Sequence, residues 1–199
     1  MEKLATRGRP RQFCPDEALA AALRVFWTKG YEGASLTDLT DGMGITRPSL
    51  YAAFGNKEAL FRQALDLYER EKLTYIGEAM KQPSARAVAE CLLHGAIETA
   101  TGNESRGCMG VIASVACQAM EPSIRDDINE RAEKAKRLIV ERMQRAIDEG
   151  EFTGPADAEA VTRYLLAIMQ GMSVQAQSGA TQSELMQVAN AALSGWPSK

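Results

Sequence analysis

The sequence predicts an all-α fold of nine helices, a compact three-helix head followed by a larger helical body. Three features of the 199 residues point there. Apolar residues recur at three- and four-residue steps almost throughout the chain. No stretch of any length alternates apolar and polar residues as a half-buried strand would. Short clusters of Gly, Pro, Asn and Ser break the helical pattern at frequent intervals.

Pro15 and Asp16 open the first helix, in which Leu19, Ala22, Leu23 and Phe26 share a face; it is expected to end before Gly30. Ser35 with Asp38 three residues on has the pattern of a capping box, and that short helix stops at Gly44. Thr46 caps a second short helix to about Ala53, where Pro48 is tolerated because first-turn amides have no intrahelical partner. Asn56 caps a long helix over 57–80. Further helices are expected over 84–100, 110–119, 123–149, 157–177 and 182–193. Between them lie Gln82-Pro83, Gly102-Asn103, Glu121-Pro122, Gly150 with Gly154-Pro155, and Ser178-Gly179. The expected division is a head over 1–56 and a body over 57–199, joined by the helix 57–80.

Composition excludes several classes. Hydrophobic residues at 45% allow a sizeable core, and 25% charged residues are ordinary for a globular chain. No run of about 18 apolar residues exists, so no membrane span is expected. The first eleven residues lack the apolar stretch of a secretory signal, and a cytoplasmic location is the expectation. Cys14, Cys91, Cys108 and Cys117 lack the dense spacing of a disulfide scaffold and read as free thiols. His94 is the only histidine and has no adjacent ligand set, so neither a metal nor a cofactor is expected. No nucleophile–base pair or phosphate loop is visible, which argues against an enzyme.

The net charge of −3 conceals an asymmetry. Lys3, Arg7, Arg9 and Arg11 face the single acid Glu2 at the start, whereas the chain from Glu58 onward carries 15 basic and 20 acidic residues. A basic arm on an acidic body suggests a polyanion at one end.

Residues 35–53 carry the most specific pattern. Two short helices meet at Met43-Gly44-Ile45, where Gly44 can take the left-handed conformation of a tight turn. Leu36, Leu39, Met43, Ile45 and Leu50 would lock the pair onto Leu19, Leu23 and Phe26. An ordinary helical hairpin would look similar from that face. The outer face of the second helix is small and polar instead, with Thr46, Arg47, Ser49 and Ala52 beside Tyr51. A helix entering the major groove needs that character: Arg47 can donate two hydrogen bonds to guanine, and Thr46 and Ser49 can serve bases or phosphates. Tyr51 and Lys57 suit phosphates, with Lys57 at a helix start.

The ordered pattern Gly30-Tyr31-Glu32-Gly33-Ala34-Ser35-Leu36, then Gly44-Ile45-Thr46-Arg47-Pro48-Ser49-Leu50-Tyr51-Ala52-Ala53-Phe54-Gly55-Asn56-Lys57-Glu58-Ala59-Leu60, resembles the TetR family of regulators. It covers about residues 10–68, and the rest matches in helical character and length. The resemblance implies a double-stranded operator DNA partner. It also implies base or backbone contacts from Thr46, Arg47, Pro48, Ser49 and Tyr51, and phosphate contacts near Thr37 and Lys57. Phe54 and Leu60 would be head core. The arm Arg7-Gly8-Arg9-Pro10-Arg11 fits a minor-groove finger as well as it fits a basic tail.

In the body, Val161, Leu165, Ile168, Met169 and Met172 form one apolar stripe, and Leu185, Val188, Ala189, Ala192 and Leu193 another. Either can be core. The resemblance implies that these last two helices pair with their counterparts in a symmetric homodimer, for which Val161, Leu165, Ile168, Met172, Leu185, Val188 and Ala192 are the candidate interface. Trp196 would close the edge.

Seven of the nine methionines lie beyond residue 57, which suits a cavity for varied apolar ligands or simple core filling. Leu93, Ile97, Cys108, Met109, Ile112, Ala116, Met120 and Phe152 are the candidate pocket for a small-molecule effector of unknown identity. Cys108 follows Arg106-Gly107 before a helix, where cationic charge and the helix start favour thiolate; it reads either as a redox or electrophile sensor or as a packed thiol. The expected function is a repressor that a ligand releases from a palindromic operator. Activation rather than repression, or DNA binding without a ligand, stay open.

Overall fold

The computed structural model describes residues 13–102, 106–115 and 121–197, and the described residues form ten α-helices and no strand. These are α1 (Pro15–Gly33), α2 (Leu36–Met43), α3 (Arg47–Phe54), α4 (Lys57–Lys72), α5 (Thr74–Ala79), α6 (Ala85–Ala100), α7 (Met109–Val115), α8 (Pro122–Asp148), α9 (Ala158–Gln177) and α10 (Gln182–Ser194). Arg7, Arg9 and Arg11 of the arm, with Ala116, Cys117 and Met120, lie outside the described residues.

The all-α class is as expected, with one element more. The helix expected over 57–80 is two: α4 stops at Lys72, Leu73 leaves helical geometry (φ −106°, ψ 14°), and α5 follows. The break is held from α6. Thr99 Oγ1 donates to the Lys72 carbonyl at 3.1 Å, giving a helix-end acceptor a partner. Tyr75 on α5 packs against Gly95, where any Cβ would fall 2.3 Å from its ring. Within α1, Gly30 breaks the helix at φ 69°, where the first helix was expected to end, and a further turn carries Tyr31 into the core.

Two apolar clusters organise the chain. The first packs Phe26, Trp27, Tyr31, Leu39, Leu50, Leu60, Phe61 and Tyr68, and recruits Met109, Ile124 and Ile128. Its aromatic centre is edge-on: Phe26 and Tyr31 each meet Phe61 at 5.0 Å, and Trp27 meets Tyr68 at 4.9 Å. The second joins α6, α8, α9 and α10 through Leu92, Leu93, Ile97, Ile139, Met143, Leu165, Met172 and Leu185. Arg86 of α6 donates to the Leu193 carbonyl at 2.7 Å, satisfying the C-terminal end of α10. Trp196 is buried beyond it, with its ring 6.3 Å from Tyr164.

A chain of ion pairs ties α4 to α8. Arg62 reaches Glu58 at 2.9 Å and Asp127 at 3.4 Å; Arg131 reaches Asp66 at 2.8 Å and both Glu69 and Asp127 at 3.1 Å. Ser123 Oγ donates to Glu58 at 2.9 Å from the start of α8. Burial opposes the charge on Arg131, and hydrogen bonds to Asp66, Glu69 and Asp127 outweigh it.

Candidate nucleic-acid interface

Local chemistry fixes the α2–α3 unit. The Ser35 hydroxyl accepts from the Asp38 amide at 3.0 Å, and the Asp38 carboxylate accepts from the Ser35 amide at 3.0 Å, completing the capping box. Lys29 of α1 binds the same carboxylate, so one acid joins α2 to α1. Hydrogen bonds from Lys29 and then from Ser35 hold the Asp38 carboxyl far below the usual carboxylate range. Gly44 takes the left-handed conformation (φ 64°, ψ 30°) that the turn requires. Thr46 caps α3 by accepting from the Ser49 amide at 3.3 Å, and its hydroxyl also meets Ser49 Oγ at 3.0 Å.

Leu50 and Phe54 bury the inner face of α3. The outer face holds Thr46, Arg47, Pro48, Tyr51 and Ala52, all exposed, with Ser49 half-buried beside them. Thr37 of α2 is exposed on the same side, and Arg47 Nη2 donates to its hydroxyl oxygen at 2.8 Å. No carboxylate pairs with Arg47 among the described residues, so its charge faces outward uncompensated. Lys57 is half-buried at the start of α4, with its ammonium 4.5 Å above the Tyr31 ring. Burial lowers its affinity for the proton, opposed by Glu32. The structure therefore gathers Thr37, Thr46, Arg47, Pro48, Ser49 and Tyr51 on one surface and sets Lys57 against an aromatic ring.

Sequence reasoning missed the contacts that α1, α4 and α9 make with the turn before α7. Trp27 Nε1 donates to the Gly107 carbonyl at 3.0 Å in a buried position. The Tyr68 hydroxyl donates to Cys108 Sγ at 3.2 Å, and burial, then the Cys108 sulfur, push the Tyr68 phenol well above its ordinary value. Ser173 Oγ of α9 lies 2.6 Å from the Cys108 amide and accepts its hydrogen. Gly107 has φ +82°, and a Cβ there would meet Gln177 Cγ at 2.6 Å. The turn 107–108 is thus gripped by α1, α4 and α9 together. These partners are 80, 40 and 65 residues apart in sequence, beyond the reach of any local pattern.

The candidate pocket and interface residues are redistributed. Leu93 and Ile97 are fully buried in the second cluster with Phe152 against it, whereas Met109 belongs to the first cluster with Cys108 and Ile112 against it. An open depression of about 400 Å³ lies elsewhere, along Gln182, Ser183, Met186, Gln187 and Asn190 of α10. Of the candidate interface, Leu165, Met172, Leu185 and Ala192 are buried within the chain itself. Val161, Ile168 and Val188 are half-buried. The face of α9 that does look outward carries Ala160, Tyr164, Ala167 and Val174, with half-buried Gly171 among them. Exposed Arg163 and Glu159 stand beside that stripe and pair with each other at 3.4 Å.

Comparison with known proteins agrees with the helix-turn-helix surface. Residues 18–64 match the sequence model of bacterial regulatory proteins of the tetR family, and residues 86–192 match that of the tetracyclin repressor-like C-terminal domain. The chain is 32% identical to the HTH-type transcriptional repressor ComR of Escherichia coli (strain K12), over 96% of this chain and 93% of that protein. It is 32% identical to the HTH-type transcriptional repressor BdcR of the same organism, over 94% and 90%. Among solved structures it is similar to a cysteine-substituted form of the TetR family regulator CifR complexed with 26 bp double-strand operator DNA, with 39% identity and a TM-score of 0.87 over 96% of this chain and 100% of that chain.

Proposed function

The chain belongs to the TetR family of DNA-binding transcriptional regulators, and from that membership we propose that it works in the cytoplasm as a homodimeric repressor, released from a palindromic operator by a small-molecule inducer. The observation that carries this reading is the outer face of α3. Arg47, Thr46 and Tyr51 stand exposed on a helix whose inner face is locked by Leu50 and Phe54, so groove-reading side chains sit on a rigid mount. Arg47 would read guanine, with Thr46, Pro48 and Ser49 at bases or backbone and Tyr51 and Lys57 at phosphates. Residues 1–56 form the DNA-binding unit in this reading, and α4 is the lever between it and the body over 57–199.

Two heads are needed to span half-sites about one helical turn apart. The outward stripe of Ala160, Tyr164, Ala167 and Val174 on α9 is the surface that would pair with a second copy, with Val161, Ile168 and Val188 at its margins. Gly171 opens onto free space there, since a Cβ at that position would meet nothing within 4 Å. An inducer can act only through its differential affinity for the two head separations. The α4–α8 ion pairs and the Trp27–Gly107 contact are the connections through which a change in the body would reach the head.

A second reading of the release signal is favoured by one contact. The Cys108 sulfur accepts from Tyr68 of α4 within the turn that α1 and α9 also hold. Modification of that thiol by an oxidant or electrophile would break the contact and loosen α4. Alkylation that releases DNA from the wild type but not from Cys108→Ser would support it, and equal release from both would exclude it.

Selection of bound duplexes from a random pool tests the main reading. The expected outcome is a palindrome with half-sites about one turn apart, lost in Arg47→Ala and Tyr51→Ala. Weak, salt-erased binding without a consensus would contradict it.

A further inference from the structure

We infer that Thr37 is a positioning residue for Arg47: its hydroxyl holds the guanidinium in reading position from the neighbouring helix, and it is through Arg47 that Thr37 contributes to base discrimination. The inference rests on the DNA-binding reading above and gives Thr37 a role other than a phosphate contact of its own.

The geometry is specific. Thr37 is at the second position of α2 and Arg47 at the first position of α3, ten residues later and across the Gly44 turn. Arg47 Nη2 donates to Thr37 Oγ1 at 2.8 Å, and both side chains are exposed. Arg47 has no carboxylate partner among the described residues, and among them this neutral oxygen is the group its guanidinium bonds. A free arginine on a surface samples many rotamers, and ordering it on binding opposes association. One bond to an uncharged acceptor supplies order without neutralising the charge that DNA attracts. It also leaves four of the five guanidinium N–H bonds free, among them a two-donor edge for guanine O6 and N7.

Two other hydroxyls on this surface are engaged with each other: Thr46 Oγ1 meets Ser49 Oγ at 3.0 Å and accepts from the Ser49 amide, and neither bonds Arg47. Thr37 has the reach because the left-handed Gly44 brings the start of α3 back across α2. The capping box at Ser35 and Asp38 fixes the first turn of α2, and with it the place of Thr37.

The test is a double-mutant cycle in the full-length chain, on the duplex recovered by selection, with affinity and base preference both measured. Arg47→Ala should weaken binding roughly 5- to 150-fold and flatten preference at one base pair of each half-site. Thr37→Val should weaken binding about 3- to 10-fold and flatten preference at that same base pair. In the Arg47→Ala background, Thr37→Val should then cost less than about 1.5-fold, as expected when one residue acts through the other. Thr37→Ser, which keeps the oxygen, should retain wild-type affinity and preference. Equal losses from Thr37→Val in both backgrounds, with unchanged base preference, would overturn the inference in favour of a direct backbone contact. Equal damage from Thr37→Ser and Thr37→Val would overturn it too. A wild-type protein that selects no consensus would overturn the underlying DNA-binding reading, and that failure appears before any variant is compared.

Discussion

Asp38 shows how one side chain can carry a whole junction. It closes the capping box of α2 and binds Lys29 of α1, and those hydrogen bonds depress its folded-state proton affinity. A depressed carboxyl contributes stability that is present above the unfolded value, near 3.9, and is lost as pH falls toward the folded value. Acid unfolding followed by helical signal should therefore include Asp38, and Asp38→Asn should flatten the acid limb while lowering stability at neutral pH. An unchanged acid limb would show that the ion pair with Lys29 does not persist in solution. Gly107 makes a different demand. Its φ of +82° and the closeness of Gln177 leave no room for a side chain, so Gly107→Ala should lose about 1–2 kcal/mol in a urea titration.

At the scale of the element, α4 is both a wall of the head core and a strut on α8. Leu60, Phe61, Ala64, Leu65, Leu67 and Tyr68 face inward, while Glu58, Arg62, Asp66 and Glu69 face the ion-pair chain. Arg131→Met would leave three carboxylates without their shared cation. The expected outcome is a stability loss of about 1–3 kcal/mol by denaturant titration, recovered in part at high salt, which screens the residual repulsion. Helix starts were legible because caps are local: Ser35, Thr46, Asn56, Ser84 and Asp157 each accept from the amide three residues on. The break at Leu73 was not legible. Lys72-Leu73-Thr74 contains no Pro or Gly, and the partner that stabilises the break, Thr99, comes from another helix.

At the scale of the whole molecule, periodicity told which residues of α9 and α10 form stripes, without telling which stripe the chain keeps for itself. Leu165 and Met172 went inward, and Tyr164 and Val174 stayed out, because the larger apolar face is consumed by α6 and α8. That Thr46, Arg47, Pro48 and Tyr51 share one exposed face was legible, since an outer face of small polar residues and one arginine needs no tertiary context. The candidate pocket residues were chosen for apolar character, which core positions share, so the sequence could not separate lining from packing. The outward stripe of α9 should be sensitive to charge. Ala167→Glu on that exposed face is expected to shift the protein toward monomer in sedimentation and to reduce operator affinity at least tenfold, while the helical signal stays intact.

The most direct test of the central claim, that paired α3 helices read an operator, is the stoichiometry and spacing dependence of binding to the selected duplex. Sedimentation should find two protomers on one palindrome, and inserting about five base pairs between the half-sites, half a helical turn, should abolish tight binding by rotating one half-site to the far side of the duplex. A single half-site bound as tightly as the palindrome, with affinity indifferent to the insertion, would contradict it.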